Sequence, residues 1–233
     1  MKAVILAAGQ AKRLGGIEKC MLEVGGKPIL EHVLRRACEI ADEIVLVNNE
    51  KMDKPRGNFG GKDVIYRYQE KPDGIIGAIE CAAGALAHHD FFLMLGDEVM
   101  VGCKHKEMVQ RWNKIKSDTW GMCGVKIEHD KEKIKKTYVV LSLNKSPKDV
   151  YVAIEKPDVV IGPLMGTGHC IFKNKVLEYL RDIPVSERGE RELVDLIQVL
   201  ADDERRVEIF EVCDQYVNVN TQEDYEEAKT FFV

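Results

Sequence analysis

The chain has 233 residues, enough to bury roughly 70–75% of its unfolded surface, so it needs neither disulfides nor a structural metal to fold. Its 45% hydrophobic and 31% charged content is ordinary for a globular protein. Thirty-four Lys and Arg against 39 Asp and Glu leave a net charge of −5, which excludes the basic excess that a nucleic-acid partner requires. A small anionic ligand stays compatible with this balance, because a few clustered cations can make a local positive pocket.

The seven cysteines are odd in number and show no C-x-x-C spacing. They read as reduced, small hydrophobes rather than zinc ligands or disulfides, which points to the cytoplasm. The apolar run at the N-terminus is ended at once by Gln10, Lys12 and Arg13, too early for a signal peptide. No run approaches the ~20 apolar residues of a membrane span, so no membrane partner is expected.

Short apolar runs predict strands at Lys2–Ala7, Glu43–Asn48, Asp63–Tyr68 and Phe91–Leu95. Helix-spaced apolar residues fill Pro28–Ala41 and Ile75–Ala87 between them. This alternation predicts an α/β fold with parallel pairing and helices on both faces. A helix is expected at Lys104–Lys116, then strands at Trp120–Ile127, Thr137–Leu143, Val150–Glu155 and Gly168–Phe172. Helices at Lys175–Arg181 and Glu190–Asp202, strands at Val207–Val212 and Tyr216–Asn220, and a helix at Thr221–Phe231 capped by Asn220 or Thr221 complete the pattern. Charge-rich Glu128–Lys136 reads as a solvated loop or helix face. With no repeat or long linker, residues 1–233 read as one domain.

The first predicted strand runs into Ala7-Ala8-Gly9-Gln10-Ala11-Lys12-Arg13-Leu14-Gly15-Gly16. Small residues there let backbone N–H groups approach phosphate oxygens. Ala11 breaks a G-x-G-x-x-G pattern, and Gly16-Ile17 after Gly15 breaks a P-loop, so neither familiar loop is present. Three cations, Lys12, Arg13 and Lys19, lie within ten positions of Gly9.

These residues, followed by Gly25-Gly26-Lys27-Pro28-Ile29-Leu30, resemble the signature of the sugar-phosphate nucleotidyltransferases. The resemblance continues in order through Gln69-Glu70-Lys71-Pro72-Asp73-Gly74, Leu95-Gly96-Asp97, Glu155-Lys156-Pro157, Gly166-Thr167-Gly168, which is similar to the family's glycine turn, Arg188-Gly189-Glu190-Arg191-Glu192-Leu193-Val194-Asp195 and Val217-Asn218-Val219-Asn220-Thr221. It implies a three-layer, Rossmann-like nucleotidyltransferase fold with a mostly parallel central sheet. Residues 1–100 would bind nucleotide and residues 101–233 the acceptor. The implied reaction moves a nucleoside monophosphate from CTP, UTP, dTTP or GTP to a small phosphorylated acceptor and releases pyrophosphate. Family members often self-associate, so a homo-oligomer stays open.

Attack on the α-phosphorus gathers negative charge, which fixed cations and one divalent metal can stabilise. Arg13 and Lys19 are the expected catalytic cations. The resemblance implies nucleotide contacts from Leu6, Ala8, Gly9, Gln69, Gly74 and Gly96, with Gln69 reading a base edge. Mg²⁺ is the implied cofactor, held by Asp97 with Asn218 or Asn220. Glu155, Lys156, Gly168 and Arg188 are the implied acceptor contacts, whereas His169 reads as a structural, hydrogen-bonded residue.

Ala11 departs from the family's second glycine, and the Leu14–Lys19 segment is short, similar to cytidylyltransferase-like members. Tyr138-Val139-Val140 replaces a Tyr-Gly-Val beside the sugar, so a β-branched side chain is expected to crowd a hexose. A related glycosyltransferase is the competing enzyme class, but Gly96-Asp97-Glu98 lacks the second aspartate of a D-x-D motif. An inactive sensor of the same fold is the other alternative.

Overall fold

The computed structural model describes residues 1–9, 18–49, 61–71, 73–143 and 146–232. Strand β1 (Lys2–Leu6) is followed by a 3-10 turn (Lys19–Met21), a small hairpin of β2 (Glu23–Val24) and β3 (Lys27–Pro28), and helix α1 (Ile29–Ile40). Next come β4 (Glu43–Asn48), β5 (Val64–Tyr68), α2 (Ile75–Leu86), β6 (Phe91–Leu95) and β7 (Glu98–Val101). The second half holds α3 (His105–Ile115), β8 (Gly121–Ile127), the one-turn α4 (Lys131–Ile134), β9 (Tyr138–Leu141), β10 (Val152–Glu155) and β11 (Leu164–Phe172). Helix α5 (Leu193–Asp202), β12 (Val207–Glu211), β13 (Gln215–Asn218) and α6 (Gln222–Thr230) close the order.

The predicted parallel pairing is present: β4 and β6 flank β1 and β5 flanks β4, all parallel. The order β6-β1-β4-β5 reverses direction at β1, so the carboxyl ends of β1 and β6 form a switch point where open α/β sheets leave a crevice. Beyond β6 the sheet continues through antiparallel β11, which also pairs with β8 and β9.

Alternation along β1 builds three layers. Val4 and Leu6 face one core with Ile76, Ile79 and Ala82 of α2 and Leu196 and Ile197 of α5. Ala3, Ile5 and Ala7 face the other, with Leu30 and Leu34 of α1 and Met108 and Trp112 of α3. Trp112, expected to pack, is fully buried and its indole N–H donates to Asp90 at 3.2 Å. Fully burying side chains of this kind contributes about 1.5–3 kcal/mol each.

Several expectations are corrected. Lys175–Arg181 does not form an α-helix but two 3-10 turns, Asn174–Glu178 and Leu180–Asp182. The segment is too short to repay helix nucleation, and it is pinned by Asn174, whose amide donates to Leu86 O. Gly166-Thr167-Gly168 is not a turn: it lies inside β11, whose register against β8 shifts between Gly166 and Cys170. Glycine is needed at 166 because a Cβ there would collide with the ring of Tyr138. Strand β7 was not anticipated, nor was its antiparallel ladder with β13, which sets Asn218 opposite Glu98. Charge-rich Glu128–Lys136 contains α4, which buries Ile134.

Candidate active site

The switch point opens into a cleft of about 430 Å³ lined by Leu6, Ala7, Ala8 and Gly9 after β1 and by Leu95 and Asp97 around the end of β6. The chain stays tight there because Gly96 N–H donates to Leu6 O at 2.8 Å and a Cβ on Gly96 would sit 3.1 Å from Ala7 Cβ. Gly96 thus holds the two strand ends together rather than lining the cleft.

Lys19 and Cys20, at the 3-10 turn before β2, form another wall. Lys19 Nζ donates to Asn220 Oδ1 at 2.6 Å and lies 3.5 Å from Asp97 Oδ2. These residues, separated by up to 201 positions, meet because the β7–β13 ladder sets the chain after Asp97 beside the chain before Asn220. Val219 N–H donates to Asp97 O at 3.0 Å. The capping box of α6 fixes Asn220 further: Thr221 caps the helix, and Asp224 Oδ2 accepts from the N–H groups of Asn220 and Thr221 at 3.0 and 2.9 Å. Burial would raise the Asp224 carboxyl, but bonds from Lys136 and Thr221 hold it below its usual range.

The donor set suits a hard divalent cation. Asp97 supplies one carboxylate, Asn220 an amide oxygen, and Asn218 lines the cleft with an Oδ1 that is buried and accepts no hydrogen bond. The Lys19 ammonium already lies between Asp97 and Asn220, a place where positive charge is welcome. Among the described residues no group of three His, Cys, Asp or Glu side chains could hold a metal by itself. One carboxylate with amide oxygens and substrate phosphates is how Mg²⁺ is commonly held. Burial pushes the Cys20 thiol up to about 12, and a soft sulfur suits Mg²⁺ poorly beside the oxygen donors.

Gln69, at the end of β5, and Gly74, before α2, line the same cleft. Gly74 has φ +100°, and a Cβ would lie 2.5 Å from Arg191 O, so only glycine fits. Lys156, Glu190 and Glu192 also line it. The two glutamates were not singled out from sequence, although the segment carrying them was.

Arg13, with Ala11 and Lys12, lies outside the described residues. Glu155 does not line the cleft, and Arg188 does not either; Arg188 Nη2 donates to Glu155 at 3.0 Å and to Glu192 at 2.8 Å, a bridge between two carboxylates. Gly168 is buried behind the cleft, where its N–H donates to Glu98 Oε1 at 2.8 Å. Val139 and Val140 are fully buried on opposite faces of the sheet, so neither crowds the cleft.

Behind Asp97 lies a polar knot. Glu98 is 3% exposed and also accepts from Tyr216 OH at 2.7 Å. His169, structural as expected, lies 2.7 Å from His105 through ring nitrogens, and its Nε2 is 3.5 Å from Glu98 Oε2. That approach makes no hydrogen bond. Burial keeps both imidazoles neutral, with His105 pushed down to about 3.

A doubly wound sheet with a cation, a carboxylate and amide oxygens at its switch point defines a protein that handles a phosphorylated nucleotide. The family described as MobA-like NTP transferase domain matches residues 3–203, and the chain belongs to it. It is thus a nucleotidyltransferase. The UTP–glucose-1-phosphate uridylyltransferase AglF of Haloferax volcanii is 26% identical over 98% of this chain and 95% of its own length. A bifunctional sugar-1-phosphate nucleotidylyltransferase/acetyltransferase of Sulfurisphaera tokodaii is 30% identical, over 91% of this chain and half of that protein. The fold superposes on UDP-glucose pyrophosphorylase complexed with UDP-glucose with a TM-score of 0.86 at 18% identity, covering 99% of this chain and 97% of the other. UTP-bound UGPase from Acinetobacter baumannii gives 0.82 at 22%, covering 99% and 92%. No helix among the described residues is long and apolar enough to cross a membrane.

Proposed function

We propose that the protein transfers a nucleoside monophosphate from an NTP to a sugar-1-phosphate or a similarly small phosphorylated acceptor. An acceptor phosphate oxygen attacks the α-phosphorus, the bond to the β-phosphate's bridging oxygen breaks, and pyrophosphate leaves. The observation that carries this reading is the meeting of Lys19, Asp97 and Asn220 at the carboxyl ends of β1 and β6, in the cleft that Gln69, Gly74 and Lys156 also line. The names of the relatives above, which describe transfer to sugar-1-phosphates, support it.

Lys19 would leave its contacts with Asn220 and Asp97 to face the triphosphate, where its fixed charge opposes the growing negative charge. Arg13 is proposed as a second such cation. Asp97, Asn218 and Asn220 would hold Mg²⁺, which supplies Lewis-acid polarisation of phosphate oxygens when bound. Glu192, held by Arg188 beside Glu155, would meet acceptor hydroxyls, with Lys156 near the acceptor phosphate. Because Arg188 is spent on two carboxylates, Arg188→Ala should act by letting them splay apart. The expected result is a rise of about tenfold in KM for the acceptor, with KM for the nucleotide little changed, in initial-rate measurements.

The direct test measures pyrophosphate release from four NTPs against a panel of sugar phosphates, polyol phosphates and phosphocholine with Mg²⁺. Release from none of the pairs would remove the proposal.

A further inference from the structure

Gln69 has one amide and two amide protons, and both protons are taken inside the protein. Its Nε2 donates to Asp73 Oδ1 at 3.0 Å and to Gly74 O at 3.1 Å. Both partners are acceptors only, a carboxylate and a carbonyl, so turning the amide over would set lone pair against lone pair at two contacts. The orientation of this amide is therefore dictated by its surroundings, which is how amide orientations are assigned. What remains for a ligand in the cleft is Oε1, which can only accept.

Asp73 is itself held from the far half of the chain. Its Oδ2 accepts from Arg191 Nη2 at 3.1 Å, and its backbone oxygen accepts from Arg191 N–H at 3.0 Å. Arg191 is clamped in turn by Glu80, with bonds of 2.9 and 2.5 Å. Helix α2 leaves room for the carboxylate because position 77 is glycine: a Cβ there would overlap Asp73 Oδ1. Burial would raise the Asp73 carboxyl, yet the bonds from Gln69 and Arg191 hold it below the usual range, so it stays an acceptor near neutral pH.

We propose that Asp73 and Arg191 are specificity-determining residues: they lock Gln69 as an acceptor-only reader and commit the cleft to bases with a ring N–H on the pairing edge. Uracil, thymine and guanine carry that hydrogen. Cytosine and adenine present a ring lone pair there, which opposes Oε1, and reach it only by sliding an exocyclic amine into place. The inference rests on the proposed binding of an NTP in this cleft. Asp73 and Arg191 act through Gln69, so they position the reader and do not touch the reacting atoms.

The test is titration calorimetry of the full chain with UTP, GTP, CTP and ATP in Mg²⁺, run beside pyrophosphate release. In the wild type the tighter of UTP and GTP should bind about tenfold or more better than either CTP or ATP, as expected where a buried polar group would otherwise be left facing a lone pair. Asp73→Ala, checked for folding by circular dichroism, should bring that ratio to within about threefold by removing one of the two acceptors that hold the amide, and Arg191→Met, checked likewise, should narrow it less, because it unanchors Asp73 and leaves the acceptor present. Wild-type binding of CTP or ATP as tight as the better of UTP and GTP would overturn the proposal. So would a loss in both variants that is equal for all four nucleotides, because a merely structural role predicts that. A clear base preference in binding with no pyrophosphate released from any acceptor would uphold the base lock while removing the transferase reading, so the two fail separately.

Discussion

Lys19→Ala should lower turnover by about 10²–10³-fold, equivalent to roughly 3–4 kcal/mol of lost transition-state stabilisation. The side chain is 17% exposed and its ammonium lies 2.6 Å from Asn220 Oδ1, so it is fixed in the cleft before substrate arrives. Once the triphosphate draws it from Asn220 and Asp97, an ammonium inside the cleft acts more strongly on the developing charge than a fully solvated surface lysine. Lys19→Arg should recover part of the loss, since charge is kept while the shape of the donor changes. The check is single-turnover pyrophosphate release at saturating NTP, with circular dichroism to confirm the fold. Turnover of the alanine variant within a few-fold of wild type would remove Lys19 from the catalytic group.

Much of the first hundred residues could be read directly from the chain. Glu43–Asn48 and Phe91–Leu95 are strands with the expected bounds, because each is a short apolar run closed by a polar residue or a turn. Helix α1 follows from apolar residues at 29, 30, 33, 34 and 37, all of them buried. What was missed is non-local. Strand β7 follows directly on the two-residue turn Gly96-Asp97, begins with a glutamate, and is stabilised by a partner more than a hundred residues away. No window of local periodicity contains that information. Yet this ladder brings Asn218 and Asn220 to Asp97, so the pairing of those motifs came from family resemblance and its cause only from the fold. The glycines at 166 and 168 misled for a related reason. They read as a turn, whereas they serve close approach: Gly166 to the Tyr138 ring and Gly168 to Leu95 and the Glu98 carboxylate. The Arg188 bridge was equally hidden, because a charged residue in a loop shows its partners only when strands and loops are assembled.

Replacing Glu98 by glutamine should make the protein more stable relative to wild type as pH rises from about 5 to 8.5. Burial is the main cause that pushes the Glu98 carboxyl up to about 8, and the charge of Asp97 adds to it, while Tyr216 and Gly168 act in the opposite direction. The folded state therefore keeps a proton that the unfolded chain releases near the ordinary glutamate value, 4.5. With more protons bound folded than unfolded, wild-type stability is full below that value and falls as pH climbs through the interval to 8. The shift corresponds to a loss of at most roughly 5 kcal/mol over the whole window. Glutamine keeps the useful bonds without the charge: its Oε1 can accept from Gly168 N–H and Tyr216 OH, and its Nε2 can donate to the unpartnered His169 Nε2. Urea denaturation at pH 5, 7 and 8.5 should show the two proteins diverging with pH, the variant losing less stability. Curves that stay parallel across that range would mean that Glu98 is already ionised in the fold, and that the buried knot behind Asp97 carries a full negative charge.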